Sequence, residues 1–186
     1  MGSYTHGFFA FWLMNIVLIG YRCSGKTSVG QALATALGRE FADTDRLIEK
    51  KCGCSTESLI YEKGWQEFRC VEKDVVMEIS KKDNLVIATG GGVVLDHQNV
   101  DNLKENGWVV WLKAEDEILK KRMECDHVSG IARAPLMGQD SLEEIKQVLE
   151  LRNPLYRKME DTSVDCSTLR IEDAVDVIIK GLPEGI

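Results

Sequence analysis

The stretch Gly20-Tyr21-Arg22-Cys23-Ser24-Gly25-Lys26-Thr27 constrains this chain more than any other. It matches G-x-x-x-x-G-K-[ST], and it lies between an apolar run, Asn15–Gly20, and a segment of helical periodicity, Lys26–Leu37. That context is what the motif needs. Glycines let the backbone curl around an anion, and amide N–H groups and a helix N-terminus then point at it. Arg22, Cys23, Ser24, Gly25, Lys26, Thr27 and Ser28 become candidate ATP-binding residues. Lys26 is placed to reach the β and γ phosphates, and the Thr27 hydroxyl to ligate Mg²⁺. The bland alternative, a glycine turn with a surface lysine, leaves the flanking strand and helix unexplained.

The rest of the chain alternates in the same way. Asn15–Gly20 reads as a buried parallel strand, and Lys26–Leu37 as a helix stopped by Gly38. Further strands are expected at Glu40–Asp43, Asn84–Thr89, Trp108–Leu112 and Ser163–Cys166. Helices are expected at Arg46–Lys51, Ser55–Glu62, Trp65–Lys81, His97–Glu105, Glu115–Glu124, Leu142–Met159 and Ile171–Lys180, with a disturbance at Pro154. Cys125–Gln139, with Gly130, Pro135 and Gly138, breaks the rhythm and reads as a loop. Strands alternating with helices imply an α/β fold, a parallel sheet covered on both faces, with ligands at the carboxyl ends of the strands.

Composition narrows the function. With 186 residues, 44% hydrophobic and 28% charged, the chain suits one globular domain. A formal charge of −7 argues against a nucleic-acid-coating protein but permits anionic small substrates held by a few focused cations. Six cysteines form no C-x-x-C pair, which disfavours a zinc site and suits reduced thiols in the cytoplasm. Cys23 is either a small filler of the phosphate loop or a reactive thiol near a helix N-terminus. Residues 1–14 form an apolar extension ahead of a single domain at 15–186. Its Phe8–Ile19 run lacks a basic front and is too short to span a membrane. The extension packs on the body or mediates self-association of an otherwise monomeric protein, and Met14 is an alternative start.

Three further clusters bear on an acceptor. In an extended Asp43-Thr44-Asp45 the two carboxylates face one site, Asp43 for Mg²⁺ and Asp45 for a substrate hydroxyl and its proton; the alternative is a helix cap. Arg69 and Glu72, three apart on a helix, form either an exposed ion pair or an arginine held rigid to grip a carboxylate. Gly90-Gly91-Gly92 permits close backbone approach to a ligand.

These pieces, together with Leu151-Arg152-Asn153-Pro154-Leu155-Tyr156, occur in the order and spacing of the shikimate kinases, and the chain resembles that family from about Asn15 to Leu182. The resemblance implies a P-loop fold with sheet order 2-3-1-4-5 and transfer of the ATP γ-phosphoryl group to the 3-hydroxyl of shikimate, in aromatic amino-acid biosynthesis. It implies Asp45 as the base, and Arg69 and Arg152 on the shikimate carboxylate. Gly91 and Gly92 supply backbone contacts, with Gly90 shaping their turn, and Thr27 and Asp43 serve Mg²⁺. It further implies a substrate segment around 45–65, a lid at Cys125–Gln139 and Arg122 against adenine. Where the family has an arginine directly before Pro-Leu, this chain reads Arg133-Ala134-Pro135-Leu136. Arg133 is the candidate lid arginine, touching phosphate and stabilising the transition state. A kinase for another small acceptor, such as gluconate or a nucleotide, and a nucleotide-binding module without transfer activity are the alternatives.

Overall fold

The computed structural model describes residues 14–128 and 142–184. The apolar extension at 1–13, most of the expected lid and Arg133 lie outside the described residues. Strand β1, Asn15–Ile19, is buried at every position. Its alternation splits the core: Ile16 and Leu18 face one cluster, Val17 and Ile19 the other. Helix α1, Lys26–Leu37, follows and packs Val29 and Leu33 against the first face. It stops at Gly38, which takes φ 64°. The Arg39 amide reaches back to the Ala34 carbonyl at 2.9 Å and the Gly38 amide to Thr35 at 3.3 Å, the paired bonds that close a helix on a left-handed glycine.

Strand β2, Glu40–Asp43, leads directly into helix α2, Thr44–Cys52. Helix α3, Thr56–Ile79, is kinked at Gly64, whose φ of 82° and ψ of 169° divide it where two helices are expected from sequence. Strand β3, Leu85–Ala88, ends at the triple glycine and a short 3₁₀ turn, Val93–Leu95. Helix α4, His97–Glu105, strand β4, Gly107–Lys113, and helix α5, Asp116–Val128, follow. Helix α5 runs four residues past the end expected at Glu124, so Cys125–Val128 is helix rather than loop. Helix α6, Leu142–Met159, continues through Pro154, and strand β5, Thr162–Asp165, and helix α7, Ile171–Gly181, complete the chain.

The five strands form one parallel sheet in the order β2-β3-β1-β4-β5. The register pairs Ile16 with Val86 on one side and with Trp108 on the other. Helices α1 and α7 cover one face, where Ala174, Val175 and Ile178 meet Trp108 and Val110. The other face packs Val76 and Ile79 of α3, Leu103 of α4 and Tyr156 and Met159 of α6 against Val109 and Trp111. All strands run the same way, so their carboxyl ends gather Gly20, Asp43, Thr89 and Cys166 along one edge, and the crevice lies there.

Asn15 fastens the opposite edge. It is 1% exposed, donates from Nδ2 to the Lys82 carbonyl at 2.7 Å and accepts from the Leu85 amide at 2.9 Å. Removing that side chain strands a buried donor and acceptor, each costly to desolvate. Asn15→Ala should lower unfolding stability by about 1–3 kcal/mol in urea titration. A change under about 0.5 kcal/mol would show that water replaces both bonds.

Candidate active site

The phosphate loop is shaped by close approach. Gly20 has φ 141°, and a Cβ there would stand 2.4 Å from the Leu112 carbonyl oxygen of β4. Gly25 caps α1 at φ 100°, and Cys23 adopts φ 60°, an uncommon backbone state for a residue with a side chain. Lys26 is buried, and its Nζ donates to the Gly20 and Tyr21 carbonyls at 2.9 and 2.7 Å. The ammonium is thus folded over the loop rather than extended into solvent. Arg22, also buried, stacks its guanidinium on the Tyr21 ring at 5.7 Å. Ser24 is buried, Ser28 stands exposed on the first turn of α1, and both line the cleft. The Cys23 thiol donates to Asp126 Oδ2 at 3.4 Å, so it has a partner on α5.

Thr27 Oγ1 donates to Asp43 Oδ2 at 2.9 Å, uniting the two candidate metal residues beside the loop. The expected reason for pairing Asp43 with Asp45 needs correction. They are not alternate residues of one extended strand. Asp43 ends β2 and caps α2, accepting from the Asp45 amide at 3.0 Å, while Asp45 lies in the first turn of that helix. The cap and the site are therefore one arrangement, and both carboxylates still line the cleft. A hydroxyl and a carboxylate oxygen are hard donors of the kind Mg²⁺ takes, with water and phosphate filling the remaining positions. Among the described residues no cluster of three His, Cys, Asp or Glu could hold a metal alone. The Thr27–Asp43 pair fits a magnesium nucleotide better than a protein-only metal cage.

On the other side of the crevice Arg69 pairs with Glu72, Nη1 to Oε2 at 2.6 Å. Glu72 is 1% exposed, so this is a largely buried pair and not the solvated one the sequence left open. Burial pushes the Glu72 carboxyl above its ordinary range, and the Arg69 charge pulls part of that shift back. The Arg69 guanidinium also lies 5.4 Å from the Trp65 ring centroid and 5.1 Å from that of Phe68, two rings set edge to face just beyond the Gly64 kink. Both rings and the carboxylate hold one cation.

The three glycines are closely packed by what surrounds them. A Cβ on Gly90 would lie 2.9 Å from Asp45 Oδ1 and 3.2 Å from Glu72 Oε1. One on Gly92 would lie 2.2 Å from Arg69 Nη2, and one on Gly91 would press on the Arg22 amide at 3.2 Å. The turn is therefore sandwiched between the phosphate loop and the residues expected to bind an acceptor. Arg152 of α6, 8% exposed, donates to the Gly91 carbonyl at 3.2 Å and faces the same cleft.

Arg122 of α5 donates to the Cys23 carbonyl at 3.3 Å and the Cys166 carbonyl at 2.6 Å, tying the phosphate loop to the end of β5. Such bonds lie in the guanidinium plane, so a face of the group can still stack on a base. Ser167, Leu169 and Arg170 border this end. The whole cleft has a volume of about 980 Å³ and brings together every candidate residue within the described range. Sequence reasoning assigned no role to Tyr156, Thr44 or Trp65. Tyr156 had a detectable signal: it lies four residues after Arg152, on the same helix face.

Known proteins share the sequence pattern and the fold. Residues 22–183 match the family model described as shikimate kinase. A shikimate kinase of Syntrophus aciditrophicus is 41% identical over 174 residues, covering 89% of each chain. One of Symbiobacterium thermophilum is 40% identical, covering 92% of this chain and 97% of its own. Among solved structures, shikimate kinase from Acinetobacter baumannii in complex with shikimate superposes with a TM-score of 0.84 at 34% identity, over 92% of this chain and 94% of that one.

The buried pair yields a pH prediction. A carboxyl with a folded pKa above its unfolded value binds its proton more tightly when folded, so its contribution to stability falls as pH rises through that window, from about 4.5 upward. Arg69→Met removes the charge that limits the shift, which widens the window. The stability deficit of Arg69→Met relative to the native chain should grow between pH 5 and pH 8 in urea titrations, reaching about 3 kcal/mol. An equal deficit at both values would contradict the coupling.

Proposed function

The chain belongs to the shikimate kinase family, and from that premise we propose how it transfers the γ-phosphoryl group of ATP to the 3-hydroxyl of shikimate, giving shikimate 3-phosphate and ADP for aromatic amino-acid biosynthesis. One observation supports the reading above the rest: a single cleft is lined by the phosphate loop, by Arg69 and Arg152, and by Asp45 beside the glycine turn. A shikimate-bound relative of the same fold fits this division.

Phosphoryl transfer asks the protein mainly for positioning and charge stabilisation. Loop amides and Lys26 cradle the ATP phosphates. Lys26 meets them from a preset position, because the Gly20 and Tyr21 carbonyls already hold its Nζ. Thr27 and Asp43 would hold Mg²⁺, which when bound neutralises phosphate charge. Arg69 and Arg152 grip the shikimate carboxylate; Glu72 fixes Arg69, and Arg152 waits on the Gly91 carbonyl until it turns to the acid. The Gly91 and Gly92 amides contact the acceptor. Asp45 orients the 3-hydroxyl and takes its proton. Arg122 packs on adenine with its edges tied to Cys23 and Cys166. Arg133, known from sequence alone, adds a lid cation and excludes water. We place the enzyme in the cytoplasm as a monomer without nucleic-acid or membrane partners; among the described residues no helix is long and apolar enough to cross a membrane.

ADP release should require shikimate and Mg²⁺ together. Lys26→Ala should lower kcat by about 10²–10³-fold, and Arg133→Ala should lower kcat more than it weakens shikimate binding. Arg69→Ala should raise the KM for shikimate and leave that for ATP nearly unchanged. A native protein that binds ATP yet turns over no shikimate would contradict the reading, and an ATP-only defect in Arg69→Ala would contradict the site assignment.

A further inference from the structure

The glycine turn is held by side chains to which the reaction gives no role. Its three carbonyls are all taken: Gly90 by the Val93 amide at 3.1 Å, Gly92 by the Leu95 amide at 3.1 Å, and Gly91 by both Arg152 and the Tyr156 hydroxyl. The Gly90 amide donates to Thr44 Oγ1 at 3.0 Å. Among the described residues nothing accepts from the Gly91 or Gly92 amides, although Gly92 is buried. Buried amides are almost always paired, so the Gly92 amide, with the half-buried Gly91 amide beside it, is the donor the turn offers to a ligand.

We propose that Tyr156 and Thr44 are positioning residues that clamp this turn at Gly91 and at Gly90, so that the Gly91 and Gly92 amides aim at shikimate and Arg152 is released from the Gly91 carbonyl to take the shikimate carboxylate. The inference rests on the function proposed above. Both side chains are wholly buried, at 0% exposure, so neither can contact a substrate directly. Tyr156 is rigid: its ring stacks on Trp111 of β4 with centroids 5.6 Å apart, and the helix places it one turn beyond Arg152. Burial also raises the pKa of its hydroxyl far above the ordinary phenol value, so it remains a donor across the working pH range. Arg152 spends one N–H on the Gly91 carbonyl at a long 3.2 Å. With Tyr156 on the same oxygen, that carbonyl stays satisfied when the guanidinium turns to an acid. Without it, every turn of Arg152 toward substrate would strip a carbonyl of its partner, and that cost would oppose binding.

Thr44 works at Gly90. It lies between the metal candidate Asp43 and the base candidate Asp45, so one hydroxyl couples the start of α2 to the glycine turn. The turn itself abuts the phosphate loop, with the position of a Gly91 Cβ only 3.3 Å from the Gly20 carbonyl. A shift of the turn would therefore change the distance between acceptor and phosphate, to which rates are steeply sensitive.

The test is steady-state kinetics with purified full-length protein, both substrates varied, and folding checked by urea titration. Wild-type turnover with shikimate comes first; its absence would overturn the proposed function and this inference with it. Given turnover, Tyr156→Phe should raise the KM for shikimate about tenfold and leave that for ATP within about twofold. In an Arg152→Lys background the same change should have little further effect, because the two side chains act through one carbonyl. An unchanged KM for shikimate, equal rises in both KM values, or additive losses in the double variant would overturn the inference alone. Thr44→Val reads the turn at Gly90 and should show the same split; if Tyr156→Phe does not fold, an unchanged shikimate KM in Thr44→Val overturns the proposal.

Discussion

The structure depends on how a chain with a formal charge of −7 holds cations where two anions must meet. Free cations would collapse onto the many surface carboxylates. Here main-chain carbonyls at the carboxyl ends of the strands take that part. Lys26 is held by Gly20 and Tyr21, Arg122 by Cys23 and Cys166, and Arg152 by Gly91. A carbonyl orients a cation without cancelling its charge. Such preorganisation spares the reaction the work of rearranging dipoles. Arg69 is the exception, paired with a true carboxylate. Glu72 is buried, however, and breaking that pair would leave a charge in the interior. Its role is to fix the arginine, with Trp65 and Phe68 at its flanks.

The second constraint is space. The glycine turn after β3 touches the phosphate loop on one side and Asp45, Arg69 and Glu72 on the other, and a Cβ at any of its three positions would press on one of them. The phosphate loop and the Asp45–Arg69 side of the cleft are thus separated by little more than one backbone thickness. Parallel topology makes this possible, since β1 and β3 are hydrogen-bonded neighbours whose ends emerge side by side. The fold class, the loop motif and the glycine run are one fact seen at three levels.

Much of this was legible in the sequence because local rules and global topology agreed. The phosphate loop was secured by its flanking strand and helix, Gly38 by its position after a periodic run, and the sheet order by resemblance. Arg69 and Glu72 could be paired by spacing, but spacing is silent on burial, and burial decides whether the pair is structural scaffolding or a surface ornament. Asp43 and Asp45 were brought to the cleft by the wrong geometry, since a strand end and a helix cap share the same residues and only coordinates separate them. Helix α5 outran its expected end because Cys125–Val128 carries no helix breaker; Gly130 and Pro135 come later. Tyr156 went unassigned because a buried aromatic in a helix reads as core, which it also is.

The central claim is that the preset cations and the glycine turn converge on one acceptor tethered by its acid group. A crystal structure with ADP, Mg²⁺ and shikimate tests it most directly. The account predicts Arg69 and Arg152 both within about 3 Å of the shikimate carboxylate, with Asp45 at the 3-hydroxyl. A complex in which Arg69 stays on Glu72 alone, Arg152 stays on Gly91 alone, and the carboxylate lies elsewhere would contradict it.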